Sequence, residues 1–140
     1  MTSYTRPQLK DNTLIHDHAF IQNNWIETPT KFAVHNPATG ALIAEVADLD
    51  IEHAQDAIHA AQTALSGWSG LTGKERANIL RKWFDLIVAN ADDLAAIMTA
   101  EQGKPLAEAK GEVLYGASFV EWFAEEAKRV SGDVLASTWA

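Results

Sequence analysis

Cysteine is absent from these 140 residues. That excludes disulfides, thiolate zinc sites and a cysteine nucleophile within the chain. It says little about compartment, because a cysteine-free chain is stable in either redox environment. Basic residues are also scarce: 11 Lys and Arg stand against 19 Asp and Glu, a net charge of −8. That sign argues against phosphate backbones and anionic bilayers, so neither nucleic acid nor membrane is expected as a partner. No apolar run approaches the roughly 20 residues that span a bilayer. The opening MTSYTRPQLKDNTL is too polar for a signal peptide, which makes cytoplasmic the expected location. No P-loop occurs, and no glycine-rich dinucleotide turn follows any strand-like run.

What remains is globular in composition, 47% hydrophobic and 21% charged, and long enough for one domain or part of one. Residues 1–17 lack periodicity and read as a flexible arm. FIQNNWI places two short apolar runs around Asn23-Asn24, which predicts a tight hairpin. KFAVHNPATGALIAEVA repeats the idea, with Pro37 and Gly40 supplying the backbone angles of the turn. From Asp50 the period becomes helical: Ile51, Ala54, Ala57, Ile58, Ala61, Ala64, Leu65 and Trp68 recur at steps of three and four, as far as SGWSG. Thr72 to Glu75 has capping-box spacing, ahead of a face of Ala77, Leu80, Trp83, Phe84, Ile87 and Val88. Asp92 and Asp93 suit the start of a third helix. Gly103 suits its left-handed end, and Pro105 the first turn of a fourth helix. That fourth pattern runs to about Val130 through Val113, Leu114, Ala117, Val120, Ala124 and Ala127, with Lys128 and Arg129 in its last turn and Gly132 closing it. Gly111 and Gly116 inside it each cost about 1 kcal/mol relative to alanine, which implies that a neighbour or a ligand approaches the backbone there. The expected fold class is α+β, β-hairpins followed by four helices, with more apolar helix surface than the chain has partners for.

Reactive constellations are few. His16-Asp17-His18 has metal-ligating residue types, but a solvated arm explains the triplet better, since a mobile segment lacks fixed geometry. His53 and His59 are six apart and read as separate surface residues. Ser66, Ser69 and Ser118 have no histidine at a suggestive spacing. Trp68, Trp83, Trp122 and Phe123 could form an aromatic platform; helical spacing favours core packing. EWFAEEAKR reads as a solvated face, with Glu125 paired to Lys128 or Arg129.

Five stretches in order, FIQNNW, VHNPATGALIAEV, KERANILRKWFDLI, MTAEQGKPLAEAKGEV and FVEWFAEEAKRVSGD, resemble the N-terminal part of the aldehyde dehydrogenases. The Asn36-Pro37-x-Thr39-Gly40 turn and Glu101-Gln102-Gly103-Lys104-Pro105 are general marks of that family. The addition of EWFAEEAKR is most similar to succinate-semialdehyde dehydrogenases, with glutarate-semialdehyde relatives next. The resemblance implies that residues 18–140 form the hairpin and helical part of a cofactor-binding domain, cut before the dinucleotide-binding strands and the catalytic domain. It implies NAD- or NADP-dependent oxidation of succinate semialdehyde to succinate in a longer polypeptide. There a cysteine attacks the aldehyde, hydride passes to the nicotinamide, and a glutamate helps water release the acid. None of the segments carrying those groups is in this sequence, and the closing LASTWA resembles no motif of the family, as a truncation or change of frame would leave it. By the same resemblance, Tyr115 and Phe119 face the substrate tunnel, or serve only packing. Val34 and Glu101 occupy the places of a monovalent-cation site, or Glu101 simply ends a helix. The chain alone is expected to be inactive and to bind no cofactor. Its expected partner is the remainder of a dehydrogenase, or itself; the competing class is a non-enzymatic interaction protein derived from the family.

Overall fold

A computed structural model describes residues 4–136 and 139. Among these, the chain forms two antiparallel hairpins and then four α-helices. This is the expected α+β order, although the hairpins form two separate two-stranded sheets. In the first, β1 (Ala19–Ile21) pairs with β2 (Asn24–Ile26). Its tight turn is Gln22-Asn23, one residue earlier than Asn23-Asn24, and both residues adopt positive φ, 51° and 61°. Such a pair matches the right-handed twist of the flanking strands.

In the second hairpin, β3 (Lys31–His35) pairs with β4 (Leu42–Ala47). Val34 stands opposite Ala44 and His35 opposite Leu42, so Ile43 is an extra residue on β4. Strict alternation would send Ile43 and Ala44 to opposite faces. Instead both are buried, Ile43 to 1% exposure, as the sole large side chain so enclosed among the described residues. The turn follows from Asn36, whose Oδ1 accepts from the amides of Ala38 and Thr39 at 2.9 and 3.2 Å. Gly40 closes it at φ 71°.

Helix α1 (Ile51–Gly70) is capped by Asp50, which accepts from the amides of Glu52 and His53. None of its residues is buried. Helix α2 (Gly73–Ala89) opens with the complete capping box between Thr72 and Glu75. Helix α3 (Ala91–Gln102) ends at Gly103, left-handed at φ 77°. Helix α4 (Leu106–Glu126) packs chiefly along α2 and then α3. Pro105 is its N-cap, just outside the first turn. The helix stops at Glu126, short of Val130, leaving Lys128, Arg129 and Gly132 beyond it. Its end abuts the start of α2: the Ala127 carbonyl oxygen lies 2.3 Å from where a Cβ on Gly73 would stand. A carbonyl end there meets the positive end of the α2 dipole.

The helical core is built of small residues: Ala77, Ala91, Ala95, Ala109, Ala117 and Ala124 are all buried. Core packing of the large aromatics is not what the structure shows. Trp68, Trp83, Trp122 and Phe123 are 38, 55, 61 and 59% exposed, because alanine contacts bring the helices together on their other faces. Gly111 and Gly116 likewise meet nothing within 4 Å at the Cβ position. Within the described residues, backbone comes close at Gly73.

Residues 4–17 are not a free arm. The Thr5 amide donates to the Leu42 carbonyl at 2.7 Å, and the Asp17 carbonyl accepts from the Ala47 amide at 2.9 Å, so both ends lie along β4. The middle, including a short 3-10 turn at Asn12–Leu14, reaches α3.

Two substitutions separate these packing environments. Gly73→Ala is expected to lower stability by about 1–3 kcal/mol, since the new methyl meets backbone. Gly111→Ala, exposed and mid-helix, is expected to raise stability by about 1 kcal/mol. Urea unfolding of the two variants beside the unsubstituted chain reads both.

Candidate functional site

The join between α3 and α4 is set by backbone chemistry. Gly103 turns the chain at positive φ, and its amide still donates to the Thr99 carbonyl at 3.0 Å. Pro105, at φ −53° and ψ 135°, redirects it into α4. Lys104 Nζ reaches forward to Glu112 Oε1 at 2.7 Å, tying the join to the second turn of α4. The Asn36–Gly40 turn seats against this join: Pro37 Cγ lies 2.9 Å from the Cβ position of Gly103. Any side chain at 103 would clash there, in addition to straining the backbone.

Val34 and Glu101 lie three and two residues from this Pro37–Gly103 contact. Val34 is half-buried on β3 beside the irregular register, and Glu101 is exposed on the last turn of α3. Glu101 and Gln102 edge a shallow groove between α3 and α4, with Ile97, Met98, Glu112 and Val113. Among the described residues no three His, Cys, Asp or Glu side chains cluster as a metal site.

Tyr115 and Phe119 are one turn apart on α4, their rings edge-to-face with centroids 4.9 Å apart. They are 67 and 48% exposed, and the apolar strip continues through Trp122 and Phe123. Glu121 at its edge accepts from Arg81 on α2 at 2.6 Å. At the end of the strip Lys128 pairs with Glu125 at 3.1 Å and holds that carboxyl below its usual range. Arg129 instead pairs with Glu126 at 3.0 Å.

The remaining candidates disperse. His16 stacks on Trp25 at 3.7 Å, Asp17 pairs with Arg6, and His18 faces Glu27 at 4.0 Å, so the triplet fans out to three partners. The hydroxyls of Ser69 and Ser118 donate to the carbonyls of Ser66 and Tyr115 on their own helices. His53 is half-buried and His59 exposed, and both border one cleft between the β1–β2 hairpin and α1. The hairpin lies over enough of α1 to reach both. His53 Nδ1 is 2.6 Å from Asp50 Oδ1.

Asp93 is the residue that sequence reasoning missed. It is buried, 6% exposed, and its two oxygens accept from the amides of Lys10 and Asp11 at 3.1 and 2.8 Å. In sequence it is indistinguishable from its neighbour Asp92, an acid in a helix's first turn.

The aldehyde dehydrogenase family pattern matches residues 25–140, and so runs through the closing LASTWA, which motif reading alone leaves outside. A glutarate-semialdehyde dehydrogenase of Pseudomonas aeruginosa is 52% identical over 91% of this chain and 27% of its own length. The mitochondrial succinate-semialdehyde dehydrogenase of Rattus norvegicus is 49% identical over 87% of this chain and 23% of its own. Among solved structures, a succinate-semialdehyde dehydrogenase from Burkholderia pseudomallei superimposes with a TM-score of 0.88 at 52% identity, covering 93% of this chain and 27% of that one. The chain thus spans about a quarter of the length of the relatives it matches. The two hairpins and four helices correspond to the N-terminal part of the fold those proteins share, and the chain belongs to the aldehyde dehydrogenase family.

Proposed function

We propose that this chain serves as the N-terminal scaffold of an NAD(P)-dependent dehydrogenase acting on a short dicarboxylic semialdehyde, succinate semialdehyde first and glutarate semialdehyde next. The observation that carries the reading is about 50% identity to enzymes of those two names over nine-tenths of the chain. One relative, from Escherichia coli, is named for NADP(+). The nicotinamide cofactor, when bound, would accept the hydride of the oxidation. The residues described here do not fit it: they form antiparallel hairpins and helices, with no parallel strand leading through a glycine turn into a helix.

Two roles fall to its own residues. Tyr115 and Phe119 present an aromatic wall to an aldehyde approaching along α4; their edge-to-face contact fixes the pair and their exposure leaves ring surface available. Val34 and Glu101 hold a monovalent cation, a backbone carbonyl from the irregular end of β3 and a carboxylate from α3, brought near by the Pro37–Gly103 contact. The exposed helix faces take the remainder of the dehydrogenase as partner, in the cytoplasm. The bare aromatic strip on α4 supports the second reading as well, a self-associating protein without catalysis.

The intact mass of the native gene product distinguishes them. A mass several times 15.3 kDa supports the scaffold role, and 15.3 kDa overturns it in favour of self-association. The isolated 140-residue chain is expected to give no NAD(P)H with succinate semialdehyde and either nucleotide; reduction scaling with its concentration would contradict this. In the longer enzyme, Tyr115→Ala is expected to raise KM for the semialdehyde about fivefold with little change in kcat, as loss of uniform binding does. Steady-state kinetics of the variant checks it, and an unchanged KM removes Tyr115 from the tunnel.

A further inference from the structure

The segment of residues 4–17 leaves β4, crosses to α3 and returns to β4. At its outer end the Tyr4 hydroxyl donates to Glu45 Oε2 at 2.8 Å, and the Thr5 amide is held by Leu42. Arg6 pairs with Asp17, closing the segment's base into a loop, and the Ala47 amide fixes Asp17 from the other side. At its crest, 82 and 83 positions away in sequence, the two oxygens of Asp93 receive the consecutive amides of Asp11 and Lys10. Beside this, Asp92 accepts from Lys110 of α4 at 2.6 Å and from Lys10 of the segment at 3.2 Å. The Asp11 carboxylate is turned away, accepting from the Thr13 amide and hydroxyl. The segment has no buried residue in its 3-10 turn. Near its base His16 stacks on Trp25, whereas the crest is held by hydrogen bonds and ion pairs at a few identifiable atoms.

We propose that residues 4–17 form a strap, latched at its crest by Asp92 and Asp93, that ties the β3–β4 sheet to the α3–α4 pair and opens separately from the helices. The strap supplements the seating of Pro37 against Gly103: α3 packs chiefly on α4, and β3 chiefly on β4. A buried carboxylate holding two adjacent amides is a charge-assisted contact that water replaces poorly. Its loss frees the crest while the ends stay paired with β4. The Asp92 ion pairs lie at the surface, 55% exposed, and so weaken with salt.

Acid acts in the same direction. Asp92 is held below its ordinary range, first by the hydrogen bond from Lys110 and then by that from Lys10. A carboxyl lowered in the folded state contributes stability above its unfolded value and loses it as pH falls through the folded one. The crest is therefore closed at neutral pH and loosens only as pH falls through the lowered range of Asp92.

Amide hydrogen exchange of the full 140-residue chain tests this, read as protection factors at Lys10 and Asp11. At neutral pH and low salt both are expected to be protected, and Asp93→Asn to lower their protection about tenfold with α3 and α4 unchanged. Asp92→Asn, an exposed change that leaves Asp93 in place, is expected to lower it about two- to fivefold and to remove most of its salt dependence. On acidification the two amides are expected to lose protection before the helices do. Free-peptide exchange at Lys10 and Asp11 in the unsubstituted chain would overturn the strap. So would protection that falls only together with that of α3, or protection indifferent to Asp92→Asn, to salt and to acid. The Asp92 variant and the salt and acid series decide the matter should Asp93→Asn not fold.

Discussion

Contact through alanine is the constraint on which the rest of the structure depends. Ala77 of α2, Ala91 and Ala95 of α3, and Ala109, Ala117 and Ala124 of α4 occupy the enclosed positions between the helices. A side chain of one carbon lets two backbones approach closely, toward the short end of helix packing distances. The same closeness requires Gly73 where the end of α4 meets the start of α2. It also limits what the core contributes, since a buried methyl stabilises by about 0.8 kcal/mol, against about 1.5–3 for a large apolar side chain.

The large side chains are consequently turned outward. Trp83, Phe119, Trp122 and Phe123 lie on surface that a solitary domain of this size would ordinarily enclose. Helix α1 carries Ile51, Ile58 and Leu65 at 73, 69 and 59% exposure and buries no residue at all. Apolar periodicity and exposure together describe faces shaped for contact. Relatives that match this chain over about a quarter of their own length supply the family context for such faces.

Polar contacts then arrange what alanine packing brings close. Pro37 against Gly103 seats the second hairpin on the α3–α4 join, and Lys104 with Glu112 stiffens the far side. Asp93 holds the crest of the N-terminal segment by two amides, while Asp92 faces two lysines at the surface. Neighbours in sequence thus have different environments, one enclosed and one wet, because successive residues on a helix point about 100° apart.

Elements whose causes are local were legible in the sequence. Asp50 and Thr72 as caps, Gly40 and Gly103 at positive φ, the Asn36 turn, and the change from hairpins to helices all follow from a few adjacent residues. Tertiary packing alone decided which face of each helix is enclosed. Periodicity marks an apolar stripe, yet here the small residues went inside and the aromatics outside. It decided that α4 ends at Glu126, where Ala127 meets Gly73, with Lys128 and Arg129 beyond the helix. It placed Ile43 as a bulge so that two consecutive residues of β4 could be buried. It also turned an unpatterned polar segment into one fastened at both ends and at its crest. Capping and turn chemistry act over three or four residues and leave a written signal. Burial and the pairing of Asp93 with Lys10 and Asp11 depend on groups more than 80 positions apart, and no local pattern encodes their meeting.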